Sequence, residues 1–117
     1  MNNFILMTGS GSYLPGKKVS NNELSKFVDT SDEWIQQRSG IKFRHFVSEN
    51  QLTSDLATEA AKKALENSNL TPSDIDLIIV GTTTPDNTFP ATAAKVQKNL
   101  KSNAISFDIQ AVCAGFV

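Results

Sequence analysis

The stretch LIIVGTTTPDNTFPATAAKVQKNLKSNAISFDI, residues 77–109, decides the fold of this chain. It predicts a buried strand over residues 77–82 and an alanine-rich helix over residues 90–100 with proline in its first turn. A second strand is predicted over residues 104–109. Strands that alternate with a helix through short links are typical of layered α/β domains. The stretch therefore predicts an α/β fold with a mostly parallel sheet and flanking helices.

The residues before this stretch extend the same pattern. Residues 52–68 predict a helix whose narrow apolar stripe consists of small side chains suited to close packing on a sheet. Residues 4–13 and 41–47 are expected to be strands, and residues 71–74 a turn or a short helical start. The predicted order of elements supports one layered domain.

Two capping patterns predict short helices early in the chain. Ser20 is followed three positions later by Glu23, and Thr30 is followed at the same spacing by Glu33. A hydroxyl and a carboxylate at this spacing satisfy each other's backbone amides at a helix N-terminus. The second helix is expected to end near Gly40, because glycine is the usual residue beyond a helix C-terminus.

Composition places the chain in the globular class. The 117 residues, of which 39% are hydrophobic and 20% charged, suit one domain over residues 1–117. A net charge of −1, from 11 basic and 12 acidic residues, provides no general attraction to nucleic acid or anionic membranes. The single cysteine excludes an internal disulfide and favours a reducing compartment. We find neither a membrane-spanning run nor a signal peptide in the sequence and predict a cytoplasmic protein.

Two minor motifs receive the ordinary interpretation. Gly9 and Gly11 follow a predicted strand as in a dinucleotide fingerprint, but Leu14 occupies the place of the third glycine, so a plain turn is favoured. His45, the only histidine, lies between basic and aromatic residues on a predicted surface strand. A solvated or hydrogen-bonded side chain is favoured there over a catalytic base, and one Cys with one His makes a poor zinc site.

Trp34 and Arg38 are four residues apart on a predicted helix and therefore share one face. Two interpretations stay open. From spacing alone we favour a cation–π pair that holds the short helix on the core. The alternative is an indole that stacks on a purine beside a guanidinium that binds a phosphate.

Cys113 lies where a predicted strand gives way to a cluster of small residues, the position of a strand-to-helix junction. A buried free cysteine is usually a packing residue. Against this, a helix N-terminus at this position would lower the thiol pKa and offer backbone amides to an oxyanion. Packing and nucleophilic catalysis are equally supported by the local sequence.

Several motifs in one order resemble β-ketoacyl-acyl carrier protein synthase III, the initiating condensing enzyme of fatty acid synthesis, which has the thiolase fold. The resemblance runs through the whole chain and is far more specific than any single motif. The matching segments are residues 9–15, 30–41, 82–85, 89–90 and 93–97, and the nucleophile motif of residues 107–108 with 111–116.

The resemblance implies a role for five residues. Cys113 matches the nucleophile that takes an acyl group from acyl-coenzyme A, which is a substrate; no cofactor is implied. Trp34 and Arg38 match residues that hold the adenine end of coenzyme A, and Thr30 matches a neighbouring contact. Phe89 matches a residue that reaches towards the partner's acyl pocket in the family's homodimer. Malonyl-acyl carrier protein is the implied second substrate.

The chain also departs from the family pattern. Ser39 stands where threonine is common, Lys101 where glycine often ends the helix, and Val112 where a small alanine is usual. We expect the helix stop to shift to Asn103, which tolerates left-handed geometry.

Family members are several-fold longer, and their catalytic histidine and asparagine lie outside the matching part. We therefore expect a thiolase-like N-terminal domain, truncated just after the nucleophile motif, with an unfinished sheet and doubtful activity of its own. The alternatives are a non-catalytic remnant or split-gene product, and a flavodoxin-like binding domain in which Cys113 is a structural or redox thiol.

Overall fold

The computed structural model describes residues 4–116. Outside the described residues lie Met1–Asn3, the start of the stretch considered as a signal peptide, and Val117, the end of the nucleophile segment. The chain forms two compact units. The sheet unit comprises Met1–Tyr13 and Leu52–Val117, and the hairpin unit comprises Leu14–Gln51. One thiolase-like domain over residues 1–117 stays a prediction.

In chain order the elements are β1 (Lys17–Ser20), α1 (Asn21–Leu24), α2 (Asp32–Ser39), β2 (Phe43–Phe46), α3 (Thr53–Ser68), β3 (Leu77–Gly81), α4 (Thr92–Leu100) and β4 (Ile105–Ile109), with 3₁₀ turns at Pro72–Asp74 and Val112–Phe116.

The sheet unit is built on two parallel strands. β3 and β4 pair in register from Leu77 opposite Ile105 to Gly81 opposite Ile109. α4 joins them and contacts both strands, and α3 packs on α4. Buried apolar side chains on α4 and at the start of β4 form the core of this unit: Ala93, Val96, Leu100 and Ala104. The predicted strand–helix–strand pattern is confirmed. The prediction that its first strand is buried is wrong: Leu77 is 48% and Ile79 is 47% exposed, and the buried apolar side chains lie on one face of α4 and beside β4.

α4 begins at a carboxylate that is distant in sequence. Its N-cap residue, Ala91, has no side chain that can accept a hydrogen bond. Instead, the Asp108 carboxylate on β4 accepts the backbone N–H groups of Thr92 and Ala93, each at 2.7 Å. A negative charge at this end also interacts favourably with the helix dipole. The prediction that the helix starts at Pro90 is wrong, because these bonds fix its first turn two residues later.

α4 ends at Leu100, as the predicted range of residues 90–100 has it, and its stop is not shifted further along the chain. Lys101 adopts the left-handed conformation with φ 57°, and the next N–H, of Ser102, donates to the Gln97 carbonyl at 3.1 Å. The prediction of a stop at Asn103 is wrong. Leu100 is buried whereas Lys101 is exposed, so the chain turns directly after its last core contact.

The N-terminal segment is not a strand. Over residues 4–16 the structure has no regular element, and the exposed fraction of Phe4 is 87%. The strand predicted for residues 4–13 is therefore wrong, since no described strand pairs with it. The segment lies along α3, where Lys63 Nζ donates to the Ser12 carbonyl at 2.9 Å and Asn67 Nδ2 to the Ser10 carbonyl at 2.7 Å.

The two glycines of this segment allow the contact with α3. A Cβ on Gly9 would lie 2.5 Å from the Ala64 carbonyl oxygen, and one on Gly11 would lie 2.2 Å from that of Ala60. Such distances are well inside van der Waals contact, so a side chain at either position would force the segment off the helix. These glycines serve close packing of two backbones.

The hairpin unit contains an antiparallel pair that the sequence pattern missed in part. β1 pairs with β2 from Lys17 opposite Phe46 to Ser20 opposite Phe43. β2 lies within the strand predicted for residues 41–47, whereas β1 was not predicted. Its only buried side chain is that of Val19, too little to give an alternating pattern.

The capping predictions for the two short helices have different outcomes. The box at Ser20 is confirmed: Ser20 Oγ accepts the Glu23 N–H at 3.2 Å, and Glu23 Oε2 accepts the Ser20 N–H at 2.8 Å. The box at Thr30 is wrong, because Ser31 is the N-cap of α2 and its Oγ accepts the Trp34 N–H at 3.1 Å. Gly40 ends α2 with φ 71°, as predicted.

No helix within residues 4–116 combines the length and the apolarity needed to cross a membrane.

Candidate functional site

Cys113 lies in the 3₁₀ turn that follows β4, so the predicted junction between a strand and a helical segment is present. The thiol is exposed. It opens onto a depression of about 520 Å³ between the ends of the two strands and the turn. The other lining residues are small or apolar: Ile79, Gly81, Ile109, Val112, Gly115 and Phe116. A thiol in such surroundings is accessible to a reactant that carries an apolar group.

The residue before the cysteine has a strained backbone. Val112 adopts φ 50°, the left-handed region that side chains branched at Cβ avoid. Its side chain is 77% exposed, so packing does not explain the conformation. Val112, which stands where the family pattern has alanine, therefore lies at the sharp turn that leads the chain from β4 to Cys113.

Phe89 lies in the loop between β3 and α4. Its side chain is 88% exposed and does not line the depression at Cys113. The peptide bond between Phe89 and Pro90 is cis. The structure therefore presents Phe89 as a projecting aromatic group on the sheet unit.

A polar cluster around the buried Asp86 carboxylate, at the base of this loop, escaped the sequence analysis. Asp86 Oδ1 accepts the Ser54 N–H in the first turn of α3 at 3.0 Å, and Asp86 Oδ2 lies 3.2 Å from Lys95 Nζ. The Asn87 amide fits between its neighbours when its nitrogen donates to the Asp86 carbonyl at 2.9 Å and its oxygen accepts from Lys95 at 2.8 Å. Only the residue types, an acid and a lysine nine positions apart, give any signal in the sequence.

The charge state of Asp86 follows from these contacts. Burial by itself would raise the pKa of this carboxyl, since it disfavours the ionised form. The hydrogen bonds from Ser54 and the ammonium of Lys95 outweigh burial, and the pKa of Asp86 is lowered from its ordinary value of 3.8. Asp86 is therefore ionised at neutral pH.

Trp34 and Arg38 form the predicted pair on one face of α2. The guanidinium carbon of Arg38 lies 5.7 Å from the centre of the Trp34 ring system. The indole is 55% exposed and Arg38 is also exposed, so this pair lies on the surface of the molecule. An exposed indole beside a cation offers a flat stacking surface and a positive charge.

A second depression, of about 370 Å³, adjoins this pair. Asp29, Thr30, Ser31 and Trp34 line it. Thr30 Oγ1 is buried and has no hydrogen-bond partner. An unpaired buried hydroxyl costs free energy, which a polar group of a ligand would recover. Thr30, Trp34 and Arg38 thus form one group in the hairpin unit, whereas Cys113 and Phe89 belong to the sheet unit.

His45 has a backbone partner. Its Nδ1 donates to the carbonyl of Pro15 within the hairpin unit. This contact agrees with the interpretation of His45 as a hydrogen-bonded side chain on a strand.

Comparison with known proteins identifies the chain's relatives. It is 58% identical to β-ketoacyl-[acyl-carrier-protein] synthase III of Wolbachia pipientis wMel over 115 residues, which are 97% of this chain and 36% of that protein. It is also 58% identical to the synthase III of Neisseria gonorrhoeae strain FA 1090, over 95% of this chain and 35% of that protein. No protein-family profile matches the chain.

Solved structures of synthase III and of a related β-ketosynthase are also similar to the chain. The crystal structure of 3-oxoacyl-[acyl-carrier-protein] synthase III from Aquifex aeolicus superimposes with a TM-score of 0.85 at 49% identity, covering 93% of this chain and 35% of that one. The priming β-ketosynthase of the R1128 polyketide pathway gives 0.83 at 35% identity, covering 94% and 33%. The predicted thiolase-like α/β fold and the resemblance to an N-terminal portion of synthase III are confirmed. The chain spans about a third of the length of the relatives it matches.

Proposed function

We propose that this sequence forms the N-terminal part of an acyltransferase that starts fatty acid synthesis, with Cys113 as its nucleophile. The observation that carries the proposal is the exposed thiol in a small-residue turn directly after a parallel strand. The named relatives match 97% and 95% of the chain. The enzyme acts in the cytoplasm in this proposal.

The first half-reaction is a transfer between thioesters. The Cys113 thiolate attacks the carbonyl carbon of acyl-coenzyme A, the bond from that carbon to the coenzyme A sulfur breaks, and coenzyme A leaves as a thiolate that takes up a proton. The product is an acyl thioester on Cys113. The apolar lining of the depression supports acceptance of a short acyl chain.

The second half-reaction, implied by the resemblance, is a condensation. Malonyl-acyl carrier protein loses carbon dioxide, and the resulting carbanion attacks the carbonyl carbon of the acyl thioester on Cys113. The carbon–sulfur bond breaks, the thiolate of Cys113 is restored, and the β-ketoacyl product stays on the carrier protein. The family's histidine and asparagine would stabilise the charge that develops during decarboxylation.

The coenzyme A portion of the substrate has a candidate contact surface on α2. In this proposal the Trp34 indole stacks on the adenine, Arg38 pairs with a phosphate, and Thr30 donates its hydroxyl to a polar group. The exposed indole and the unpaired hydroxyl of Thr30 support this arrangement. Phe89 contributes to the acyl pocket of a partner subunit in a homodimer.

The test is acylation of the gene product that carries this sequence, purified at its natural length. We expect intact-protein and peptide mass spectrometry to find one acetyl group on Cys113 after incubation with acetyl-coenzyme A. The Cys113→Ala variant is the control and should acquire none. A Cys113 that stays unmodified while the protein is folded would contradict the proposal and favour a structural or redox thiol.

A further inference from the structure

Phe89 receives almost no positional constraint from packing. Its side chain is 88% exposed, and it lies in the middle of the loop between β3 and α4. An aromatic ring held so loosely takes its position from the backbone on either side of it. The bonds that fix residues 82–92 therefore decide where the ring is presented.

The segment that carries Phe89 is closed at its base. The Asp86 N–H donates to Thr92 Oγ1 at 3.2 Å, which joins the two ends of residues 87–91. Thr92 is fully buried and its own N–H is held by Asp108, so the downstream end is anchored to the sheet. The upstream end is held at Thr84, whose carbonyl accepts the Thr53 hydroxyl at 2.8 Å, and at Asp86.

An ion pair and a backbone hydrogen bond hold the Asp86 carboxylate. Its side chain is 0% exposed, with Ser54 of α3 on one carboxylate oxygen and Lys95 of α4 on the other. An ionised carboxylate is costly to bury, and an apolar side chain could fill such a space at lower cost. A buried charge in this place gives a defined geometry, because both of its partners come from helices that flank the loop.

We propose that Asp86, Thr92 and Lys95 form a loop clasp that positions Phe89, and that Asp86 is therefore a positioning residue of the active site. The inference rests on the proposed function, in which Phe89 contacts the acyl chain. Loosening the clasp should shift the ring and alter which acyl chains are accepted, while Cys113 itself stays in place in the turn after β4.

The first measurement is hydrogen–deuterium exchange of the natural-length protein. In Asp86→Asn and in Lys95→Met we expect the amides of residues 82–89 to exchange at least about tenfold faster than in the native protein, with β3 and β4 unchanged. Lys95→Arg retains the cation and should restore protection. Lys62→Met is the matched control, since it removes an ion pair with Glu59 that is half exposed. Exchange within about twofold of native in both clasp variants would overturn the proposal.

The second measurement is the ratio of the Cys113 acylation rates with acetyl-coenzyme A and butyryl-coenzyme A. We expect this ratio to change at least about threefold in Asp86→Asn and Lys95→Met, but not in Lys95→Arg or Lys62→Met. Lys95 is 28% exposed, so its variants keep the test valid should Asp86→Asn fail to fold.

The two measurements separate the possible failures. A loop that exchanges faster while the acylation ratio stays native would show that the clasp does not position Phe89 for the substrate. Native protein that takes up neither acyl group would refute the proposed function, and the exchange result would still decide whether the clasp holds the loop.

Discussion

Replacing Asn21 with alanine should destabilise the hairpin unit strongly. Asn21 is 1% exposed and links three parts of this unit. Its Nδ2 donates to Asp32 Oδ1 at 2.8 Å and to the Ile41 carbonyl at 2.7 Å, and its Oδ1 accepts from the Arg44 guanidinium. These bonds join the start of α1 to the first turn of α2 and to the segment that leads into β2.

The magnitude follows from what each partner retains. Asp32 keeps a bond from Gln36 at 2.6 Å, and Arg44 keeps its bond to the Val19 carbonyl at 3.2 Å. The Ile41 carbonyl loses its side-chain partner. An unsatisfied buried group costs about 1–3 kcal/mol, and bonds to charged partners lie towards the upper end. Together with the small cavity, the change should lower the free energy of unfolding by about 2–4 kcal/mol.

The assay uses a built-in reporter. Trp34 is the only tryptophan of the chain and lies on α2, so denaturant unfolding followed by its fluorescence reports on the hairpin unit. The neighbouring Asn22 is exposed, which makes Asn22→Ala a matched control with a loss below about 0.5 kcal/mol. If the two variants unfold within about 0.5 kcal/mol of each other, the linking role of Asn21 is refuted.

Trp34→Ala should raise KM for acyl-coenzyme A about 5- to 150-fold with little change in kcat. The lost stacking of the indole on the adenine is worth about 1–3 kcal/mol, and the adenine is remote from the reacting thioester of the substrate. Steady-state kinetics test this, and an unchanged KM contradicts it. Gly11→Ala should lower stability by about 1–3 kcal/mol in thermal unfolding, whereas Gly16→Ala, where a Cβ meets nothing within 4 Å, should not. Val112→Gly should stabilise the protein by about 1 kcal/mol by relieving the left-handed backbone, and a lower melting temperature would refute this. The stability that ionised Asp86 contributes should be complete above pH 3.8 and lost as pH falls through the lowered pKa of this carboxyl. The melting temperatures of native protein and Asp86→Asn should therefore converge in strong acid.

The regular elements of the sheet unit were predictable because their signals are local. α3 and β3 differ by one residue from the predicted ranges 52–68 and 77–82. β4 differs by one residue from residues 104–109. The continuous apolar run of β3 and the apolar stripes of the alanine-rich helices are patterns that a short window of sequence contains. The junction at Cys113 was likewise visible in a run of small residues.

Elements that depend on distant partners were not predictable. β1 has one buried side chain and exists through its pairing with β2, so its own four residues have little strand signal. The apolar run at residues 4–13 had the signal of a strand but has no strand partner among the described residues. The strand propensity of a segment shows only that it can form a strand; whether it does so depends on pairing with another strand.

The residues proposed to contact the substrate illustrate the same division. The four-residue spacing of Trp34 and Arg38 predicted that they share a face, and in the structure the Arg38 guanidinium lies over the Trp34 ring at 5.7 Å. The exposure of the indole and the unpaired hydroxyl of Thr30 are properties of the folded surface and are absent from the sequence pattern. Asp86 was missed for this reason too, because its partners belong to two different helices.

The caps of α3 and α4 have a consequence for the order of folding. Neither helix begins with a side chain that can cap it from the N-cap position, because Leu52 and Ala91 occupy those positions. The carboxylates that accept their first amides come from Asp86, 32 residues after Ser54, and from Asp108, 16 residues after Thr92. Contacts of such sequence separation require loop closure before they stabilise anything. The first turn of α3 should therefore be complete only when the loop after β3 has reached it, and that of α4 only when β4 has. A peptide containing α4 alone would be frayed at the end where Asp108 is missing.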